Sequence, residues 1–246
     1  MLRLFLLSLS LLVFSACETA REATDTAAEG VEDAADATAK VARGAADAAE
    51  DAAGAVAGVA SDAYGEAREA LGDDEVADDA RVAVARVSAP GDTTTSVRGT
   101  VTFVETSDGV RVRYDLMGLS PSQAHGLHVH AVGNCGPADS DNDGAVEAGG
   151  AAGGHLNPMG SDHGGPDEDR DDRHAGDLGN VQAGPDGRAM GTKMDEILAF
   201  SGATSVVGKA IMVHANRDDL ESDPGGMAGG RVGCGVIELA PMSGRM

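Results

Sequence analysis

From residue 81 onward, apolar and polar residues alternate along the chain with the period of two that is typical of half-buried β-strands. The pattern is clearest in R-V-A-V-A-R-V (81–87), S-V-R-G-T-V-T-F-V (96–104) and G-V-R-V-R-Y-D-L (109–116). Turn-forming residues at 90–92 and 107–109 separate these segments. Further strands are expected at 126–131, 189–193, 210–214 and 232–239. Short strands with frequent Gly and Pro turns predict an all-β sandwich or barrel.

Two long stretches of this region, 132–180 and 216–230, lack any periodicity. Loops of this length in a compact domain usually carry function. All seven histidines of the chain lie between His125 and His214, and several of them fall in the first stretch. We therefore expect the chemistry of the protein in its two long loops.

The N-terminus has the layout of a secretory signal. Arg3 precedes an apolar run from Leu4 to Phe14, which is too short to span a bilayer, and small residues then lead to Cys17. Small residues before a cysteine resemble the processing motif of bacterial lipoproteins. That resemblance implies a signal peptide over 1–17, lipidation of Cys17, export, and a lipid anchor on a bacterial membrane, on the periplasmic side or at the cell surface. An ordinary cleavable signal with an incidental cysteine is the alternative.

Residues 18–80 are rich in Ala, Asp and Glu and contain almost no large apolar side chains. Such a segment has too little apolar surface for a packed core. We interpret it as an acidic tether, disordered or partly helical, that precedes a folded domain over 81–246. An amphipathic helix that binds a partner is the alternative for this segment.

The charge balance excludes two classes of partner. The chain has 18 Lys+Arg against 41 Asp+Glu, a formal net charge of −23. Binding to nucleic acid or to anionic membrane surfaces needs clustered basic residues, so neither is expected. With 4 Phe, 2 Tyr and 0 Trp, the core must consist of aliphatic side chains.

The histidines predict a metal site. His128 and His130 are two apart on a predicted strand, so both side chains lie on one face. Imidazole suits copper and zinc. Six histidines and one aspartate exceed the needs of one four-coordinate ion, so two ions are predicted. The seven residues are His128, His130, His155, His163, His174, Asp177 and His214.

At these residues the sequence resembles the copper/zinc superoxide dismutases, over about residues 81–241. The matching segments are G-L-H-V-H (126–130), G-H-L-N-P (154–158), H-G-G-P (163–166), R-H-A-G-D-L-G-N (173–180), V-H-A-N-R-D-D-L (213–220) and R-V-G-C-G-V-I (231–237). The resemblance implies an eight-stranded Greek-key β-barrel with two long functional loops.

The resemblance also implies roles for individual residues. It gives copper to His128, His130, His155 and His214, and zinc to His155, His163, His174 and Asp177, so that His155 bridges the two ions. Asp218 would hydrogen-bond one histidine of each set, and His125 would have a structural role. Arg231 would lie beside copper and dock superoxide, and Cys135 and Cys234 would form a disulfide.

The implied activity is the dismutation of superoxide to oxygen and hydrogen peroxide. By resemblance, copper alternates between Cu(II) and Cu(I), His155 leaves copper and takes up a proton on reduction, and zinc stays structural. A lipoprotein that sequesters copper and zinc without turnover is the alternative. A homodimer is also left open.

Two further features of the sequence concern a candidate calcium site and the attraction of substrate. The run Asp139-Ser140-Asp141-Asn142-Asp143-Gly144 mimics the start of a calcium loop, but Gly150 stands where the final Glu is required, so a calcium site and an ordinary acidic turn both remain open. The segment 220–230 has no lysine to guide superoxide. A domain with 23 acidic and 13 basic residues over 81–246, a net −10, should repel an anion, which leads to the hypothesis of a saline habitat.

Overall fold

The computed structural model describes residues 80–91, 95–140 and 144–240. The expected signal peptide, Cys17 and the tether up to residue 79 lie outside the described residues. The chain divides into two compact units, Met1–Val56 and Ala57–Met246, and every described residue belongs to the second. Within the described ranges, no helix is long and apolar enough to cross a membrane.

Eight antiparallel strands form one continuous sheet that curves into a nearly closed barrel, in the order β5-β4-β7-β8-β1-β2-β3-β6. Their bounds are β1 Val82–Val87, β2 Arg98–Thr106, β3 Gly109–Met117, β4 Ala124–His130, β5 Asp177–Gln182, β6 Ala189–Asp195, β7 Ala210–His214 and β8 Arg231–Leu239. A single 3₁₀ turn, Gly150–Ala152, is the only helical element among the described residues. The predicted eight-stranded all-β barrel is confirmed.

The alternating residues of the first strands fill the barrel interior. Ala83 lies opposite Phe103 and Ala85 opposite Val101 in the β1–β2 register, and all four side chains are fully buried in the core. Because side chains of a strand alternate between its two faces, these residues set which positions of β1 and β2 point inward. The aliphatic core expected from the composition is therefore present.

The expectation of an unpatterned stretch up to residue 180 was wrong at its end, because β5 begins at Asp177. The sequence D-L-G-N-V-Q does not alternate apolar and polar residues, and Asp177, Leu178 and Gly179 are buried in succession. Asp177 is buried on the side of the histidines and Leu178 in the core, so both faces of the strand are covered. A period-two pattern cannot detect such a strand.

Two long connections run between β4 and β5 and between β7 and β8. They leave from opposite ends of the paired strands, because His130 at the end of β4 lies beside Ala210 at the start of β7. The disulfide Cys135–Cys234 ties the first of them to β8, across a sequence separation of 99 residues. The predicted cysteine pairing is therefore confirmed. Leu127 and Val129 of β4 belong to the core, so His128 and His130 point to the outer face of the barrel, on a strand that lies between β5 and β7.

Candidate metal site

Strand β4 places His128 and His130 side by side with two further histidines. His214 is the last residue of the neighbouring β7, and an isolated backbone bridge joins His130 to His155. In this first cluster each of the four residues offers one ligand atom, and all four atoms lie within 4.8 Å of one another. The structure thus gathers the whole set for which the resemblance implied copper.

Three of these histidines have one nitrogen fixed by an acceptor of the protein. His130 Nδ1 donates to the carbonyl of Gly153 at 2.8 Å, and His214 Nδ1 donates to the carbonyl of Gly229 at 3.0 Å. His128 Nε2 donates to Asp218 Oδ2 at 2.7 Å. Since the bonded nitrogen carries the hydrogen, the opposite nitrogen of each neutral ring presents a lone pair.

Those opposite nitrogens, His128 Nδ1, His130 Nε2 and His214 Nε2, are buried and have no hydrogen-bond partner in the described part of the chain. Buried polar atoms are nearly always satisfied, so three unpartnered lone pairs in one cluster require an explanation. Imidazole nitrogens in this state are ligands for copper or zinc. The cluster therefore fits a metal ion.

The second cluster consists of His155, His163, His174 and Asp177. Asp177 Oδ1 lies 2.7 Å from His155 Nδ1, 3.1 Å from His174 Nδ1 and 3.2 Å from His163 Nδ1. The two Nδ1 atoms of His155 and His174 are 3.3 Å apart. Four ligands about 2.0–2.1 Å from a tetrahedral zinc ion are separated by about 3.3 Å. The distances of 3.1–3.3 Å fit a zinc ion, whereas the 2.7 Å between Asp177 Oδ1 and His155 Nδ1 is that of a hydrogen bond. His155 belongs to both clusters.

Backbone groups orient the carboxylate of Asp177. The amides of Gly164 and His174 donate to Asp177 Oδ2 at 3.2 Å and 2.9 Å, which leaves Oδ1 directed at the histidines. Because His163 Nε2 donates to Asp218 Oδ1 at 2.9 Å, the lone pair of His163 Nδ1 faces Asp177 Oδ1. Two acceptors at this separation require positive charge between them, from a proton or a metal ion.

The pKa values of His163 and Asp177 also indicate that this cluster favours a positive charge. Burial works against protonation of His163, but hydrogen bonds with Asp177 and Asp218 raise its pKa to about 10. Burial would by itself raise the pKa of Asp177, yet hydrogen bonds from three histidines hold it well below its usual range. This part of the site therefore stabilises a cation.

Among the histidines proposed for copper, burial dominates over the hydrogen bonds. It lowers the pKa of His155 to about 4 and that of His214 to about 3, and it also places the pKa of His130 well below its usual range. These imidazoles are neutral at pH 7, and the neutral ring is the form that binds a metal.

Asp218 links the two clusters through hydrogen bonds. Its fully buried carboxylate accepts from His128 of the first cluster and from His163 of the second. Asn180 fixes its backbone with two hydrogen bonds of 2.8 Å, because Asn180 Oδ1 accepts from Asp218 N and Asn180 Nδ2 donates to Asp218 O. Gly226, at φ 66°, passes so close that a Cβ atom there would lie 1.8 Å from Asp218 Oδ1.

Sequence reasoning missed Asn180 and Gly226 as supports of Asp218. Asn180 stood at the end of the matching segment R-H-A-G-D-L-G-N, which was the one available signal for it. Gly226 lies in the loop 216–230, where several glycines occur and the sequence does not distinguish one from another.

A solvent-filled cleft of about 340 Å³ opens onto the first cluster, and Arg231, His130, His155 and His214 are among its lining residues. Arg231 donates from Nη1 to the carbonyl of Gly149 at 2.7 Å and from Nη2 to that of Gly153 at 2.8 Å. Partial burial lowers the pKa of this guanidinium, which stays positively charged at neutral pH. A fixed cation thus stands in the cleft that leads to the histidines.

His125 and the calcium-like run 139–144 lie outside both clusters. His125 is buried and its Nδ1 lies 2.9 Å from the carbonyl oxygen of His214, so it joins β4 to the end of β7. In the calcium-like run, Asp139 accepts from the amide of Gly144, while residues 141–143 lie outside the described residues.

A family model and a named relative both match this chain. The family model described as copper/zinc superoxide dismutase (SODC) matches residues 97–237. The chain is also 42% identical over 150 residues to a protein of Paramecium bursaria Chlorella virus 1 named "Superoxide dismutase [Cu-Zn]", and the aligned region covers 58% of this chain and 74% of that relative.

Proposed function

The chain belongs to the copper/zinc superoxide dismutase family and is an enzyme that uses copper and zinc. On this basis we propose a role for each side chain of the two clusters. Copper is held by the first cluster, His128, His130, His155 and His214. Zinc is held by the second cluster, His155, His163, His174 and Asp177. His155 is the bridge between the two ions.

This assignment depends on one observation, which is that His155 belongs to both clusters. Its Nδ1 lies 2.7 Å from Asp177 Oδ1, on the side of the second cluster. Its ring centroid is 4.1 Å from that of His128 and 5.0 Å from that of His130. An imidazole that directs its two nitrogens to two ligand sets supports a bridging role.

Copper, when bound, supplies one-electron chemistry by alternating between Cu(II) and Cu(I), with one superoxide oxidised to oxygen and a second reduced to hydrogen peroxide. Arg231 docks the anionic substrate in the cleft through its guanidinium. His155 exposes Nε2 on the cleft side and is placed to carry one of the two protons that the second superoxide needs. Asp177 and Asp218 keep the rings oriented, as acceptors behind ligating histidines generally do.

The N-terminal segment suggests where this activity operates. We propose that the protein is exported and held on a bacterial membrane by a lipid on Cys17, with residues 18–80 as a tether. The layout of residues 1–17 supports this proposal. Detergent partitioning of the full chain and of Cys17→Ser tests it, because only the chain that retains Cys17, and with it the lipid, should enter the detergent phase. Equal partitioning of both would contradict the anchor.

The proposed metal assignment is tested by metal analysis of the purified full chain together with a dismutation assay. Bound metal is first removed with a chelator. The metal-free protein is then divided into samples that are reloaded with zinc alone, copper alone, or both. We expect about one equivalent of each ion and activity only where copper is present. Protein that takes up both ions at these residues without dismuting superoxide would favour the sequestering alternative.

A further inference from the structure

Three valines of the first two strands are buried although they point away from the barrel interior. Val82, Val84 and Val104 are 3%, 8% and 1% exposed. They alternate along β1 and β2 with the residues that fill the core, and none of them belongs to the core cluster. A cover on the outside of the barrel is therefore needed to exclude water from them.

These valines form one continuous surface. Val82 lies directly opposite Val104, and Val84 lies opposite Thr102, which is 4% exposed. We call these four residues the outer patch. Four buried side chains on the convex side of two central strands are an apolar face of the kind that a second element normally covers.

The border of the outer patch is basic on the side of β3 and β2. In the β2–β3 register, Arg111 lies opposite Val104 and Arg113 lies opposite Thr102. Arg98, at the start of β2, is exposed. On the β8 side, the exposed Glu238 lies opposite Val84. An element that covers the outer patch would therefore gain from acidic residues along the side that faces β3.

The sequence directly before β1 has the pattern of such an element. At 100° per residue, seven apolar residues fall within an arc of about 140°, and the residues between them, which are Ser, Asp, Glu, Arg and Gly, fall on the remaining surface. The seven are Val59, Ala60, Ala63, Tyr64, Ala67, Ala70 and Leu71. This segregation predicts an amphipathic helix over 59–71.

The charge and the position of this segment both suit the outer patch. Residues 57–79 contain eight acidic residues and one arginine, opposite in sign to the basic border. Only the ten residues 72–81 separate the end of the predicted helix at Leu71 from Val82 of the patch. The compact unit that contains the barrel also begins at Ala57.

We propose that residues 59–71 form an amphipathic helix whose apolar face docks on the outer patch of its own barrel. The docked helix closes the outside of β1 and β2, and the acidic residues beside it face Arg111 and Arg113. The tether proper then ends near residue 58, and the barrel is attached to it through a fixed element.

The chain contains no tryptophan, so a single introduced tryptophan reports on this contact. Leu71→Trp is compared with Val41→Trp, an apolar position of the same acidic region outside the proposed helix. We expect emission at shorter wavelength and several-fold weaker acrylamide quenching for Leu71→Trp. Identical emission and quenching in the two variants would overturn the proposal.

A second substitution tests the partner surface in the full chain. Val84→Lys, combined with Leu71→Trp, should shift the emission to that of the Val41→Trp variant, whereas Thr192→Lys on the exposed part of β6 should leave it unchanged. Retained dismutation activity shows that the barrel is still folded. No shift with Val84→Lys would overturn the proposal.

The other occupants of the outer patch give different results. If a second copy of the chain covers it, the Leu71→Trp emission will change on dilution. If residues 241–246 cover it, their deletion will lower the melting temperature of the full chain while Leu71→Asp will not. Either result overturns the proposal.

Discussion

Arg173 donates from Nη2 to Asp195 Oδ2 at 2.7 Å, and both side chains are about 2% exposed. Arg173 directly precedes His174, and its Nη1 also reaches the carbonyl oxygens of His174 and Asp177, at 3.2 Å each. Asp195 ends β6, which lies at the opposite end of the strand order from β5. Because β5 and β6 contact each other where the barrel closes, one buried ion pair holds two residues of the second cluster to β6 across this closure.

Replacement of Asp195 should destabilise the protein strongly. Asp195→Ala leaves the buried guanidinium of Arg173 without its counter-charge, which costs about 3–5 kcal/mol. The matched control is Asp115→Ala, which breaks the exposed pair with Arg188 and should lower stability far less, because solvent screens exposed ion pairs. Urea unfolding of the two variants measures the difference. Equal losses would contradict the role of the buried pair.

The barrel and most of the metal ligands could be predicted from the sequence, because patterns within single strands indicate them. The alternation in β1, β2 and β3 reflects one buried face per strand, and His128 and His130 share a face because they are two residues apart. Strand β5 gave no such signal because both its faces are covered. The convergence of these ligands came from family resemblance rather than from periodicity.

The supports of the site could not be predicted because they depend on contacts between distant residues. Gly226 is required by the closeness of Asp218, and the Arg173–Asp195 pair links a loop to a strand that no local pattern connects with it. The outer patch was missed for a related reason. The valines at 82, 84 and 104 belong to alternating segments, in which every second residue was expected to face solvent.

His155 and His125 should respond differently to removal of the imidazole. His155→Ala removes a residue shared by both clusters, so we expect loss of both metal ions and a fall in activity of more than about 100-fold. His125→Ala removes one buried hydrogen bond and should lower stability by about 1–3 kcal/mol while both metals remain bound. Metal analysis, dismutation assay and urea unfolding of both variants make the comparison. Unchanged copper content and rate in His155→Ala would refute the bridge.

Substitutions of Asp177 and of Asp218 should have different effects on the binding of the two metals. Asp177→Ala removes a proposed zinc ligand and should lower zinc occupancy more than copper occupancy. Asp218→Asn keeps the size of the side chain but weakens the acceptor behind His128 and His163, so both affinities should fall by about 10–100-fold. Competition with a chelator of known affinity measures both ions. A selective loss of zinc in Asp218→Asn would contradict its proposed link to both clusters.

The disulfide should contribute a large share of the stability. Cys135 and Cys234 are 99 residues apart, and the chain-entropy model gives about 4–5 kcal/mol for a closed loop of this length. The double variant Cys135→Ala, Cys234→Ala should therefore unfold at much lower urea concentration. Cys17→Ala, at the cysteine outside this pair, is the control and should not change the midpoint. A loss below about 1 kcal/mol in the double variant would show that the loop is held by other contacts.

The charge around the cleft predicts how the rate depends on salt. The net charge over residues 81–246 is −10, Asp223 lines the cleft beside Arg231, and the segment 220–230 contains no lysine. The field outside the cleft therefore repels superoxide, and only the fixed guanidinium attracts it at short range. Added salt shortens the screening length from about 10 Å at 0.1 M to about 3 Å at 1 M, which weakens the long-range repulsion first.

We therefore expect kcat/KM to rise with ionic strength and then level off, which would suit a saline habitat. Glu221→Lys, at an exposed position of the loop that borders the cleft, should raise the rate at low salt and flatten the salt dependence. Glu196→Lys, which makes the same charge change at an exposed position after β6, should have a smaller effect because local charge dominates steering. Steady-state assays from 0.01 to about 1 M salt measure the slopes. A steep fall in rate from an optimum at low salt would mean that the cleft attracts superoxide over long range despite the net charge.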